Sequence, residues 1–176
     1  MRLFPGHDRT EAVARRAVLF AVLFAVLQLC WQAARGTAIE HVLVHDATVD
    51  SAVLLINRLT PQVRASAVDA TVSAPGGSLR IINGCEGTEA WFLLLAAFGT
   101  APLSFKSRSQ GMALGTAVVF VVNQLRILTL FYAHRADRGL FDVLHSTVTP
   151  IAVILLVAGF FYAWLVHDAA RSATAG

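Results

Sequence analysis

The chain is predicted to be a mainly α, polytopic membrane protein with about four transmembrane helices, plus a small extracytoplasmic amphipathic helix and a β-hairpin. Three observations carry this. Of 176 residues, 56% are hydrophobic and only 14% are charged, about half the charged share of an ordinary soluble domain. The mean hydropathy is +0.64. The charges also fall between long apolar runs, where they set the orientation of spans. The net charge of +3 is not gathered into a basic, aromatic-interleaved patch, so nothing points to nucleic acid.

Residues 1–16 form a polar head with Arg2, Arg9, Arg15 and Arg16 against Asp8 and Glu11. The run Ala17 to Ala34 carries no charge and is long enough to cross a bilayer, so it is expected as a retained span and not a cleaved leader. Cys30 lies inside it as an expected packing residue.

Residues 35–89 read as the outer domain. Ile39, Val42, Leu43, Ala47, Val53, Leu54 and Ile56 fit a helical stripe, which predicts an amphipathic helix near the membrane between Ile39 and Pro61. His41 and His45 stand four apart, a spacing zinc can use with Asp46 or Asp50, but a solvated edge is the favoured reading and no metal or other cofactor is expected. From Val63 to Ile82 the apolar residues alternate around Pro75-Gly76-Gly77-Ser78, which predicts a hairpin whose free edge could take an extended peptide.

That hairpin runs into Asn83-Gly84-Cys85-Glu86-Gly87 at the start of the next apolar run. The two glycines allow tight turns around Cys85, and Thr88 or Gly87 is the expected helix cap. A thiol beside a helix N-terminus loses its proton more readily than a free one, so Cys85 is a candidate nucleophile.

Three further spans are expected in residues 90–166: a short one from Ala90 to Phe105, kinked by Gly99 and Pro102, then Gly111 to Tyr132 and Val148 to Val166. Lys106 and Arg108 are expected in a turn, residues 134–145 in a loop, and 167–176 in a polar tail. Counting Lys and Arg at the span ends favours a cytoplasmic N-terminus. That orientation puts Cys85, the hairpin, His134 and His145 on the extracytoplasmic side of a plasma membrane.

Asn123, Gln124 and Arg126 interrupt the third span. A guanidinium at that depth costs a few kcal/mol and should face a cavity or a partner. Asn123 and Arg126 stand three apart and are expected to point the same way. His145, or His134 as the alternative base, could take a proton from Cys85.

The order Asn-Gly-Cys-Glu-Gly, then Asn-Gln-Leu-Arg-Ile inside a later span, then a histidine before the last span, resembles the exosortase/archaeosortase family of membrane cysteine transpeptidases. The likeness covers roughly residues 82 to 166, and the chain has fewer spans than the commoner members. The resemblance implies Cys85 as nucleophile, Arg126 as transition-state stabiliser and His145 as general acid/base, with Asn123 and Asn83 in support. The implied partners are membrane-tethered proteins whose C-terminal sorting signal, a short motif such as Pro-Glu-Pro followed by a span and a basic cluster, is cleaved through an acyl-enzyme. The competing class is a non-enzymatic membrane anchor or assembly subunit, in which Arg126 pairs with a partner helix.

Overall fold

The computed structural model describes residues 7–81 and 85–174 and is mainly helical. Helix α1 (His7–Ala34) is followed by a helical segment in three pieces: α2 (Ala38–Glu40), a π-helical stretch (His41–Val49) and α3 (Asp50–Leu59). A short antiparallel sheet comes next, with β1 (Ser66–Val68), β2 (Thr71–Ala74) and β3 (Gly77–Arg80). The chain ends in α4 (Thr88–Thr100), α5 (Phe105–Ala136), α6 (Arg138–Val143), a π-helical stretch (Leu144–Val148) and α7 (Thr149–Thr174).

Three helical segments, Thr10–Ala34, Phe105–Ala136 and Arg138–Thr174, are long and apolar enough to cross a membrane. Helix α4 has 13 residues, which at 1.5 Å per residue is about 20 Å, short of the roughly 30 Å hydrocarbon layer. The expected span to Phe105 stops early because Ala101, the residue before Pro102, is held extended at ψ 145°. Gly99 lies in the last turn of α4. Ser104 then caps α5 by accepting a hydrogen bond from the Ser107 amide at 3.2 Å. Phe105, Lys106 and Arg108 therefore stand in the first turn of α5 and not in the preceding span or turn.

The region expected as a loop between His134 and His145 is also helical. Only Asp137 separates α5 from α6, and it caps α6 through its Oδ1 and the Leu140 amide at 2.9 Å. His145 consequently lies within a continuous helical segment and not ahead of it.

Where a two-stranded hairpin was expected, the chain forms a three-stranded meander. Pro75 and Gly76, the latter at φ 89°, make the second turn, as Pro then Gly do in type II turns. The first turn has no glycine to signal it; Asp69 supplies the left-handed residue at φ 50°. Ile82, Asn83 and Gly84 lie outside the described residues.

The amphipathic segment is helical, but its buried side differs from the expected stripe. Val44, Thr48, Val49, Ala52 and Ile56 face inward, while Ile39, Val42 and Leu54 are exposed. The π turns explain the difference, since i to i+5 bonding shifts the phase of every residue that follows. Val49, Ala52 and Ile56 join Val72, Ile81, Cys85, Ile127, Leu128 and Phe131 in one core, which seats the sheet on the last turns of α5. Arg135 reinforces that seat by donating from Nη1 to the Pro75 carbonyl at 2.6 Å. A second core, with Ala90, Leu94, Phe98, Val119, Val153 and Val157, joins α4, α5 and α7.

Candidate functional site

Cys85 reaches the interior because Gly87 takes a left-handed turn, φ 81°, and serves as N-cap of α4 without any side-chain cap bond. The turn folds the Cys85 side chain inward, leaving the residue 6% exposed. Arg126 comes from the middle of α5 and His145 from the π-helical stretch before α7. All three line one cavity of about 320 Å³, together with Gly87, Glu89, Ala90, Leu93, Pro150, Val153 and Ile154.

The contacts inside the cavity are specific. Cys85 Sγ lies 3.8 Å from His145 Nδ1. Arg126 Nη2 donates to the same sulfur, also at 3.8 Å. Arg126 Nε donates to Thr149 Oγ1 at 3.2 Å. The sulfur thus has an imidazole on one side and a guanidinium on another, the arrangement needed to remove a thiol proton and to stabilise negative charge beside it.

The thiol does not behave as its place at a helix start suggested. Burial pushes the Cys85 pKa up, the Arg126 guanidinium opposes this, and Glu86 and Glu89 add to the rise. Loss of water around the sulfur is the largest cause and outweighs the guanidinium. Forming a thiolate at this site therefore calls for a base.

Asn123 does not join the cluster. It is 4% exposed and sits directly behind Gly87. It borders a different cavity, of about 130 Å³, with Thr48, Glu86, Thr88, Trp91 and Thr116. The i, i+3 spacing places it with Arg126, but Asn123 lines the smaller cavity and Arg126 the larger, and Gly87 lines both. Its Oδ1 has no hydrogen-bond partner among the described residues. Neighbouring Gln124 donates to the Thr48 carbonyl at 3.2 Å, tying α5 to the π-helical stretch. Asn83 lies outside the described residues.

His134 stands apart from Cys85. Its ring meets Phe141 edge-on at 5.2 Å, and Phe141 in turn stacks parallel on His145 at 5.3 Å. Cys30 is exposed on α1 and not packed, because the neighbouring helix meets other faces of α1; neither cysteine is in a disulfide. His41 and His45 stack at 4.4 Å, and His41 Nδ1 lies 3.5 Å from Asp46 Oδ1. Among the described residues no group of three potential ligands gathers around them.

Comparison with family models, curated proteins and solved structures finds no match. The site is therefore read from its own residues. Sequence reasoning missed Glu89, Phe141 and Thr149. Thr149 stands four residues after His145 in a helical segment, a spacing that places the two on one face; that signal was present but was hidden by expecting a loop.

Proposed function

We propose that the chain is a membrane-embedded cysteine peptidase or transpeptidase of the exosortase kind, crossing the bilayer four times with its N-terminus in the cytoplasm and its site outside. The observation that carries this is the sulfur of Cys85 held 3.8 Å from both His145 Nδ1 and Arg126 Nη2 at the wall of a cavity. In this reading His145 takes the thiol proton and the thiolate attacks the scissile carbonyl. The resulting oxyanion is stabilised by the guanidinium of Arg126. Collapse expels the amine, which receives the proton from His145 and leaves a thioester on Cys85; water or an acceptor amine then releases the acyl group.

The surroundings of the cavity support a substrate anchored in the same bilayer. Ala90, Leu93 and Ile154 line the cavity and also a neighbouring apolar groove of about 230 Å³ between α1, α4 and α7, with Phe20, Leu94 and Phe161. An apolar segment lying there would hold its flanking residues close to Cys85. The fourth crossing would be made by α4, whose shortness is tolerable if the bilayer thins locally or flanking residues extend the span.

The test is to co-express the chain with an exported protein ending in a Pro-Glu-Pro-like motif, a span and an Arg cluster. An adduct through Cys85, trapped and mapped by mass spectrometry, is the expected result. Unchanged processing by a Cys85→Ala variant that reaches the membrane would refute the reading.

A further inference from the structure

We infer that Thr149 is a positioning residue for the site, holding the Arg126 guanidinium so that its outer nitrogen faces Cys85. This rests on the reading of Cys85 as nucleophile. An arginine side chain has several freely rotating bonds, and ordering such a chain costs rotamer entropy. A hydrogen bond to Nε fixes the plane of the guanidinium, because Nε lies at the root of the fork. Thr149 Oγ1 accepts that bond at 3.2 Å, while Nη2 at the far side of the fork reaches Cys85 Sγ at 3.8 Å.

Thr149 suits the task. It is 7% exposed, so water does not compete for its hydroxyl. As a β-branched residue in a helix it has few χ1 states. It also follows the π-helical stretch directly: its amide bonds to the Leu144 carbonyl, five residues back. The same helical segment thus supplies His145 to one side of the sulfur and, through Arg126, governs the other. Any shift of α7 would move both groups together.

The hydroxyl can be tested without a substrate. In a Cys30→Ser background, so that only Cys85 reacts, the rate of iodoacetamide alkylation is followed against pH for the parent and for Thr149→Val, Thr149→Ser and Arg126→Gln. Val keeps the shape and removes the acceptor; Ser keeps the acceptor. Since Arg126 holds the thiol pKa down against burial, the Val variant should react with a pH midpoint displaced upward toward that of Arg126→Gln. The Ser variant should keep the parental midpoint. In the double variant, Val should add nothing to the Arg126→Gln shift. A parental profile for Thr149→Val, or a shift that adds to that of Arg126→Gln, overturns the proposal. If Thr149→Val does not fold, Thr149→Ala is judged by the same criteria, with Ser rescue deciding between a positioning and a packing role. With a processed substrate at hand, kcat should fall on the order of tenfold to a hundredfold with KM unchanged, as for a small misplacement of a catalytic group. Processing that survives Cys85→Ala would remove the peptidase reading while leaving the alkylation result to decide the role of Thr149.

Discussion

Gly87 lies against Asn123 so closely that a Cβ at position 87 would stand 2.8 Å from Asn123 Cγ. This contact locks the turn that carries Cys85 onto α5. Gly87 lines both the Cys85 cavity and the smaller one that Asn123 borders. The φ of 81° adds a second constraint, because an L side chain is strained there whatever space surrounds it.

Gly87→Ala is therefore expected to destabilise the protein by about 1–3 kcal/mol, the usual cost of a non-glycine residue held in a disfavoured backbone region. Adding Asn123→Ala should recover only the steric part. Thermal unfolding in detergent measures both. A Gly87→Ala protein as stable as the parent would show that the turn is not held as described.

The raised pKa of Cys85 makes a prediction about stability at alkaline pH. The folded state favours the neutral thiol, so this contribution is present below the ordinary thiol range and is lost as pH rises through the folded value. The parent should lose stability relative to Cys85→Ala as pH is raised through and above the ordinary thiol range. Unfolding midpoints of the two proteins across that interval give the comparison, and parallel curves would contradict it.

Arg126→Lys should abolish most turnover if the proposed chemistry is right. A lysine ammonium can carry the charge, but it cannot bond Thr149 and face Cys85 at once as the planar fork does. A fall in kcat of about 10²–10³ is expected, the range seen when one oxyanion donor is removed. Turnover at the parental rate would assign the charge stabilisation elsewhere.

The two histidines should separate sharply. His145→Ala removes the imidazole 3.8 Å from the sulfur, and a loss of at least about 10² is expected for a general acid/base. His134→Ala removes a ring that meets Phe141 edge-on and lies beside Gly77 of β3, and it should leave kcat within a few fold. Equal losses from both would mean that His134 acts through the aromatic stack or that His145 is not the base.

Much of this was legible in the sequence, and the parts that were not share a cause. Long apolar runs gave the helices of α1, α5 and α7; the residue types singled out Cys85, Arg126 and two histidines, the family resemblance favoured His145 over His134, and Cys85, Arg126 and His145 meet. Periodicity failed where the helix was not regular. The π turns at His41–Val49 shifted the buried stripe, and α6, with 6 residues, is too short to show a helical period in the expected loop. Spacing on one helix also could not reveal that Asn123 and Arg126 line different cavities. The thiol was misjudged because burial depends on what covers Cys85, and that comes from α3, α5 and the sheet.

Gly111 and Gly115 stand four apart on α5, and both are buried where α4 and α7 approach. A Cβ at Gly111 would strike the Phe98 ring and lie 2.8 Å from Trp164 Nε1; one at Gly115 would lie 2.9 Å from Phe160 Cε1. Small residues at this spacing let membrane helices pack at close range, where van der Waals contact replaces the missing hydrophobic drive. The aromatic side chains here are themselves fixed, since Phe98 also meets Phe161 edge-on at 5.0 Å and Trp164 Nε1 donates to Ser107 Oγ at 3.2 Å. Gly111→Ala should thus cost about 1–3 kcal/mol, as overpacking a tight core does, and Gly111→Leu more. Because α7 carries Thr149 just after His145, the Leu variant should also slow Cys85 alkylation without touching the cavity. Thermal unfolding and alkylation rates on the same samples test the coupling; a destabilised Gly111→Leu protein with parental Cys85 reactivity would show that the two ends of the bundle move independently.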